Sequence, residues 1–254
     1  MYPVGGVQMP QIAVITDELA PDLGEALDIA QLVVSRVALR RLGCVNAADL
    51  TETALKAAAD ELANRNLACI SVLTSIGKAS GRGAGTGILP RENLIARLLR
   101  ARRIAAHLDA KYVRFFASEA VLECLPALHQ PEWFAVEVEL DTLAPDSASA
   151  IALARRTGVG VVLDPTNAWR FGAWGPRTLD EIDLSLVVDI HVKDVDTHGN
   201  FVAPGEGVIR WDLMLRQLRE RRYDGCLTVE THLDAGRCIT AVQYIRGRWY
   251  GRGS

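Results

Sequence analysis

Three apolar runs in the second half of this sequence each end on a side chain able to bind a metal ion: Val159-Gly-Val-Val-Leu-Asp164, Leu186-Val-Val-Asp-Ile-His191 and Cys226-Leu-Thr-Val-Glu230. A fourth run upstream, Phe134-Ala-Val-Glu137-Val-Glu139, carries two carboxylates at its end. Short β-branched runs separated by helix-length segments are the pattern of parallel strands joined by crossover helices. In such sheets the chemistry gathers at the carboxyl ends of the strands. Carboxylates and one imidazole at four successive strand ends spell a site for a divalent cation. Asp164, His191 and Glu230 would be joined there by Glu137 or by Glu139.

Strand parity supports that convergence, because side chains alternate faces along a strand. Glu137 and Glu139 share one face, while Phe134, Val136, Val138 and Leu140 share the other. Asp164 groups with Val162 and Gly160, and Glu230 with Thr228 and Cys226. Each residue also has a plainer reading. Asp164 precedes Pro165 and can open a turn, a single histidine is often structural, and glutamates at strand ends are often merely solvated. Asp189 has the inward parity of His191, where a charge needs a partner; Lys193 or a water is the expected one. Lys193, of the same parity, is placed to hold a substrate oxygen or phosphate.

The elements that must position these residues follow from periodicity. Strands are predicted at 11–16, 37–40, 68–74, 111–116, 134–139, 159–164, 186–191 and 226–230. Helices are predicted over 22–33, 52–64, 91–108, 119–128, from Pro145 to about 157, over 211–221 and over 235–249, with a short one at 179–184. Asp49-Leu-Thr-Glu52 has the spacing of a capping box ahead of the second helix. The count is that of an α/β protein of the (β/α)8 barrel type, a single domain over 11–254 behind a flexible arm at 1–10, with a shortened fourth βα unit. The glycine-rich stretch Gly81-Arg-Gly-Ala-Gly-Thr-Gly87 lacks the Gly-Lys-Ser/Thr of a P-loop and the G-x-G-x-x-G spacing. It reads as a mobile loop over the barrel mouth, placed to act as a lid.

Composition narrows the function. The charge is 28 minus 31, or −3, and no long basic run occurs, which argues against a partner bound through a nucleic-acid backbone. Five scattered cysteines without a C-x-x-C pair fit a reduced, cytoplasmic protein. No apolar run approaches the roughly 18 residues of a membrane span. A small-molecule substrate is the expected partner, and a homo-oligomer is compatible with the sequence.

Four motifs in order carry a resemblance: Asp164-Pro-Thr-Asn-Ala-Trp169, His191-Val-Lys-Asp194, Pro204-Gly-Glu-Gly207 with Ile209 and Trp211, and Val229-Glu-Thr-His232. Together they resemble the sugar phosphate isomerase/epimerase family, the xylose-isomerase-like group of barrels. The resemblance implies one divalent ion on Glu137, Asp164, His191 and Glu230, with Glu139 the alternative on the fifth strand. Mn2+ or Mg2+ suits three carboxylates and an imidazole first, and Co2+ or Zn2+ second. It further implies an isomerase or epimerase of a small sugar, sugar phosphate or hydroxy-ketone working through a metal-stabilised enediolate, with Glu137 and Glu230 moving the proton. Lys193 and Asn167 would meet the sugar or polyol substrate; Glu206 reads as a pocket residue or a turn residue, and His232 as a pocket residue or the cap of its strand. Ketose epimerases of the group carry a histidine where this chain has Asn167, which points to a different substrate. A lyase or dehydratase of a keto-polyol is the alternative on the same scaffold. A non-catalytic barrel follows it, and an endonuclease of abasic DNA comes last, because that branch uses a histidine-rich three-zinc cluster and this chain has no histidine before His107.

Overall fold

The computed structural model describes residues 8–78, 90–175 and 177–251. Most of the expected arm and the glycine-rich stretch at 81–87 lie outside the described residues. Eight strands, β1 (Gln11–Ile15), β2 (Arg36–Leu39), β3 (Ala68–Leu73), β4 (Tyr112–Phe115), β5 (Phe134–Glu137), β6 (Gly160–Leu163), β7 (Val187–Val192) and β8 (Cys226–Val229), form a closed barrel in chain order. Every pairing is parallel, and the ring closes where Gln11 to Val14 of β1 meet Cys226 to Val229 of β8. The helices are α1 (Leu23–Ala30), α2 (Glu52–Asn64), α3 (Arg91–His107), α4 (Glu119–Cys124), α5 (Ser147–Thr157), α6 (Pro165–Arg170), α7 (Trp211–Glu220) and α8 (Ala235–Trp249).

The alternation expected from the sequence is the one observed. Phe134, Val136, Val161, Leu163, Ile190, Val192, Leu227 and Val229 pack outward into the layer between strands and helices. Ala13, Ile15, Ala38, Ile70, Ala135, Val162 and Cys226 fill the barrel itself. A parallel strand buried on both faces needs apolar residues at both parities, so an inward polar residue near a strand end marks the mouth.

Local chemistry sets the helix starts. Asp22, Asp146 and Asp234 accept hydrogen bonds from the backbone N–H of Glu25, Ser149 and Arg237, capping α1, α5 and α8. The cap of α2 is Thr51, which accepts from Ala54 N at 3.2 Å. Asp49, the residue suggested by the capping-box spacing, ends a 3-10 turn instead and meets Arg97.

Two boundaries differ where the site lies. The fifth strand stops at Glu137 rather than at 139, because Glu139 N turns away to bond Ala144 O at 3.1 Å. A short helix, α6, starts directly after β6, where Asp164 caps it and Pro165 supplies the pre-set φ of a first helical residue. The helix predicted over 179–184 is a pair of 3-10 turns, Thr178–Glu181 and Leu184–Leu186. The fourth unit is short, as expected: α4 has six residues and is followed by the 3-10 turns Leu125–Ala127 and Pro131–Trp133.

The turn after β3 rests on Gly77, at φ +90, where a Cβ would lie 1.9 Å from the carbonyl oxygen of Phe116. Gly43 has φ +58 with nothing within 4 Å of such a Cβ. Gly77→Ala should therefore cost about 3 kcal/mol in urea unfolding, from a left-handed backbone and a steric clash together. Gly43→Ala should cost about 1 kcal/mol, from the backbone alone. Equal costs would show that the turn yields.

Candidate metal centre

Glu137 ends β5, Asp164 and Glu230 directly follow β6 and β8, and His191 is the penultimate residue of β7. These four buried residues bring one ligand atom each to within 4.8 Å of one another. The carboxylates reach this arrangement by spending one oxygen apiece elsewhere. Arg114, on β4, donates to Glu137 Oε2. Arg40, following β2, donates to Glu230 Oε1 at 2.7 Å. Asn167 N, in the first turn of α6, donates to Asp164 Oδ1 at 2.9 Å. The second oxygens, Glu137 Oε1, Asp164 Oδ2 and Glu230 Oε2, stand 3.7, 4.0 and 3.0 Å from His191 Nδ1.

These residues fit a divalent cation. Asp164 Oδ2 and His191 Nδ1 have charged neighbours but no aligned hydrogen bond, and His191 Nε2 is buried with no partner among the described residues. A buried ring nitrogen left without a partner is rare in native interiors and calls for an explanation. Three carboxylate oxygens with one imidazole nitrogen are the donor set of a hard or borderline divalent ion.

The fields at the centre are strong. Burial favours neutral His191, but the charges of Glu137 and Glu230 outweigh it and push the imidazole up to about 9. Burial raises Asp164, with the ammonium of Lys193 opposing it. At Glu230 burial acts the same way, yet Lys193, His191 and Arg40 hold the carboxyl well below its ordinary value. Lys193 is itself buried, with Nζ 2.6 Å from Asp164 Oδ2 and 3.1 Å from Glu230 Oε2. Arg40 also grips Asp17 at 3.0 Å and Glu18 at 2.7 Å, tying the end of β1 to Glu230.

Above the centre opens a cleft of about 370 Å³. Lys193, Asn167 and His232 line it, as does Glu139. Glu139 lies apart from the convergent four and pairs with Lys78 at 2.5 Å. Asn167 donates its side-chain amide to Val138 O at 3.1 Å. Glu206 does not line the cleft: it is exposed on its loop, 3.4 Å from Arg237. Asp189 finds its partners in Tyr112 and Thr228, whose hydroxyls both donate to Oδ2, rather than in Lys193. Its parity set it inside the barrel beneath His191, and the inward hydroxyls of β4 and β8 are what lies at that level. Lys193 instead meets Asp164 and Glu230.

Sequence reasoning missed Arg40 and Arg114. The signal was available, since Arg40 has the inward parity of Ala38 and Arg114 that of Tyr112. Arg114 further lies 4.3 Å over the ring of Phe116, with Lys78 Nζ 4.8 Å from the same ring.

A family model described as xylose isomerase-like TIM barrel matches residues 27–247. No curated protein matches the sequence. Among solved structures, the probable 3-DHS dehydratase AsbF of Bacillus anthracis superposes with a TM-score of 0.72 at 12% identity, covering 93% of this chain and 98% of that one. The IOLI protein solved with a zinc atom gives 0.72 at 16% identity, over 96% and 99%. The 3-keto-D-glucoside 4-epimerase YcjR of E. coli gives 0.72 at 14%, over 94% and 99%. At these identities the likeness speaks for the fold.

Metal binding should be coupled to protons, because a ligand imidazole must be neutral. With His191 near 9, Mn2+ uptake at pH 8 should release protons, and affinity should rise with pH until it levels off above 9. The chelated protein should behave oppositely. A raised folded-state pKa stabilises the fold below the unfolded value of about 6.5, and that contribution is lost as pH climbs through 9. Titration calorimetry in buffers of different ionisation enthalpy checks the first, and Tm against pH in EDTA the second. Mn2+ affinity independent of pH between 7 and 9 would contradict the assignment.

Proposed function

This chain belongs to the xylose isomerase-like TIM barrel family, and from that premise we propose that it is a divalent-metal-dependent isomerase or epimerase of a small sugar, sugar phosphate or hydroxy-ketone. The observation that carries the reading is the division of labour within each carboxylate, one oxygen anchored and the other aimed at His191. Glu137, Asp164, His191 and Glu230 would hold the cation, and IOLI offers a relative of this fold solved with zinc. A bound divalent ion supplies Lewis acidity at a carbonyl oxygen, which makes the proton on the neighbouring carbon removable.

The chain's own groups then move that proton. Glu137 and Glu230 stand three strands apart around the mouth, each with its outer oxygen fixed by an arginine. One carboxylate takes the proton from one face of the carbon, and the other returns one on the opposite face, which inverts the centre; return to the adjacent carbon isomerises. Lys193, between Asp164 and Glu230, is placed to hydrogen-bond a substrate hydroxyl or carbonyl oxygen. Asn167, where ketose epimerases have histidine, changes the group that meets the sugar.

The same ammonium favours a second reading, a lyase of a keto-polyol, because it can hydrogen-bond a departing β-hydroxyl. The solved structure of a probable dehydratase on this fold is consistent with that use. The nuclease reading has less support, since the described residues offer one candidate metal group and it contains one histidine.

Incubation in D2O with a small ketose or ketose phosphate should place deuterium on the carbon beside the carbonyl, and chelation should stop it. Glu230→Gln should slow exchange by roughly 10²–10⁴-fold, the usual loss on removing a general base. Turnover at full rate after chelation, or in Glu230→Gln, would rule the mechanism out. A product lighter by one water would select the lyase.

A further inference from the structure

We propose that the substrate is an anion, a polyhydroxy carboxylate or a sugar phosphate, and that Arg170 receives its charged group. This deepens the reading of the same cleft given above and rests on it. Of the cations lining the cleft, Arg40, Lys78, Arg114 and Lys193 are matched by carboxylates. Arg41 and Arg170 also line it, and among the described residues neither meets a carboxylate.

Arg170 is held ready rather than loose. It ends α6, its guanidinium carbon lies 4.6 Å from the centroid of the Phe201 ring, and one Nη donates to Gly199 O at 2.9 Å. Phe201 rests in turn against His232, with ring centroids 4.6 Å apart. His232 is tied down by Glu18, which sits 3.2 Å from Nδ1 and accepts from the backbone N–H at 2.6 Å. The wall Arg170–Phe201–His232 is therefore ordered from three separate segments of the mouth. Asp196, the carboxylate in the turn that Arg170 caps, is already engaged by the N–H groups of His198 and Asn200 and by the Asn200 amide. A guanidinium stacked on an aromatic face, with donors left over and no carboxylate partner, is a receptor for a carboxylate or phosphate group. Ordering the side chain in advance lowers the entropic cost of that contact.

The test uses three probes with the same carbon skeleton, ribitol, ribonate and ribitol 5-phosphate, titrated calorimetrically at low salt into the whole protein with Mn2+ and, separately, with EDTA. The charged probes should bind at least roughly tenfold more tightly than ribitol, the scale of one charge-assisted contact. The better of the two identifies carboxylate or phosphate as the natural group. Arg170→Gln should erase most of that preference and leave ribitol binding unchanged, and Arg170→Lys should restore part of it. Arg102→Gln, which removes a positive charge from α3 where it faces Trp133, should leave the preference intact. Equal affinity for charged and neutral probes would overturn the proposal, as would a preference that survives in Arg170→Gln or falls equally in Arg102→Gln. Binding that ignores Mn2+ while keeping the Arg170-dependent preference in EDTA would overturn the metal reading and support this one.

Discussion

Three carboxylates gathered around one buried histidine repel one another, and the mouth of this barrel exists because each is tied down on its far side. The ties differ. Asp164 is held by a backbone N–H in the first turn of α6, Glu137 by Arg114, and Glu230 by an arginine already clamped between Asp17 and Glu18. Each tie lowers the cost of burying a charge and fixes which oxygen faces inward. Removing a tie would leave a buried carboxylate free to rotate and partly unpaired, which is costlier than the loss of an exposed ion pair.

The seventh strand organises the site in depth. Its inward residues Asp189 and His191, with Lys193 directly after the strand, run from barrel interior to cleft. At the bottom the hydroxyls of Tyr112 and Thr228 satisfy one oxygen of Asp189, so the layer beneath His191 is polar although the rest of the interior is apolar. At the top, Lys193 O accepts from Thr166 Oγ1 and Trp211 Nε1, both at 3.0 Å, which locks the backbone that carries the ammonium. Asp194 accepts from the N–H groups of Val195, Gly205, Gly207 and Ile209 and so folds the Pro204–Ile209 segment back onto the strand end. Four donors on one carboxylate leave that segment little freedom. The motifs Val-Lys-Asp and Pro-Gly-Glu-Gly thus act together as a scaffold, and Glu206 faces solvent because its neighbours' backbone is what the motif uses.

The charge pattern follows from that rigidity. Cations whose carboxylates lie on neighbouring strands hold the floor of the cleft, whereas the rim is built from short ribbons and helix ends. There Arg170 finds an aromatic ring and a carbonyl in place of a carboxylate. A fixed floor beneath a cationic rim suits chemistry that is set by the barrel and selectivity that is set by its loops.

Much of this was legible in the residues alone. The two-residue period of a strand separates inward from outward side chains wherever it is read, so eight strands, the outer apolar layer and the inward aim of Asp164, His191 and Glu230 follow from local sequence. The same period could not separate Glu137 from Glu139, which share a parity. Tertiary structure decides there, because β5 stops at Glu137 and the chain turns Glu139 toward Lys78. Nor could it show that Arg40 would meet Glu230, 190 positions away, or that Arg170 would lie on Phe201. Periodicity is a property of each segment, set by backbone geometry; which ends meet is a property of barrel closure and register, and those exist only once all eight strands are paired.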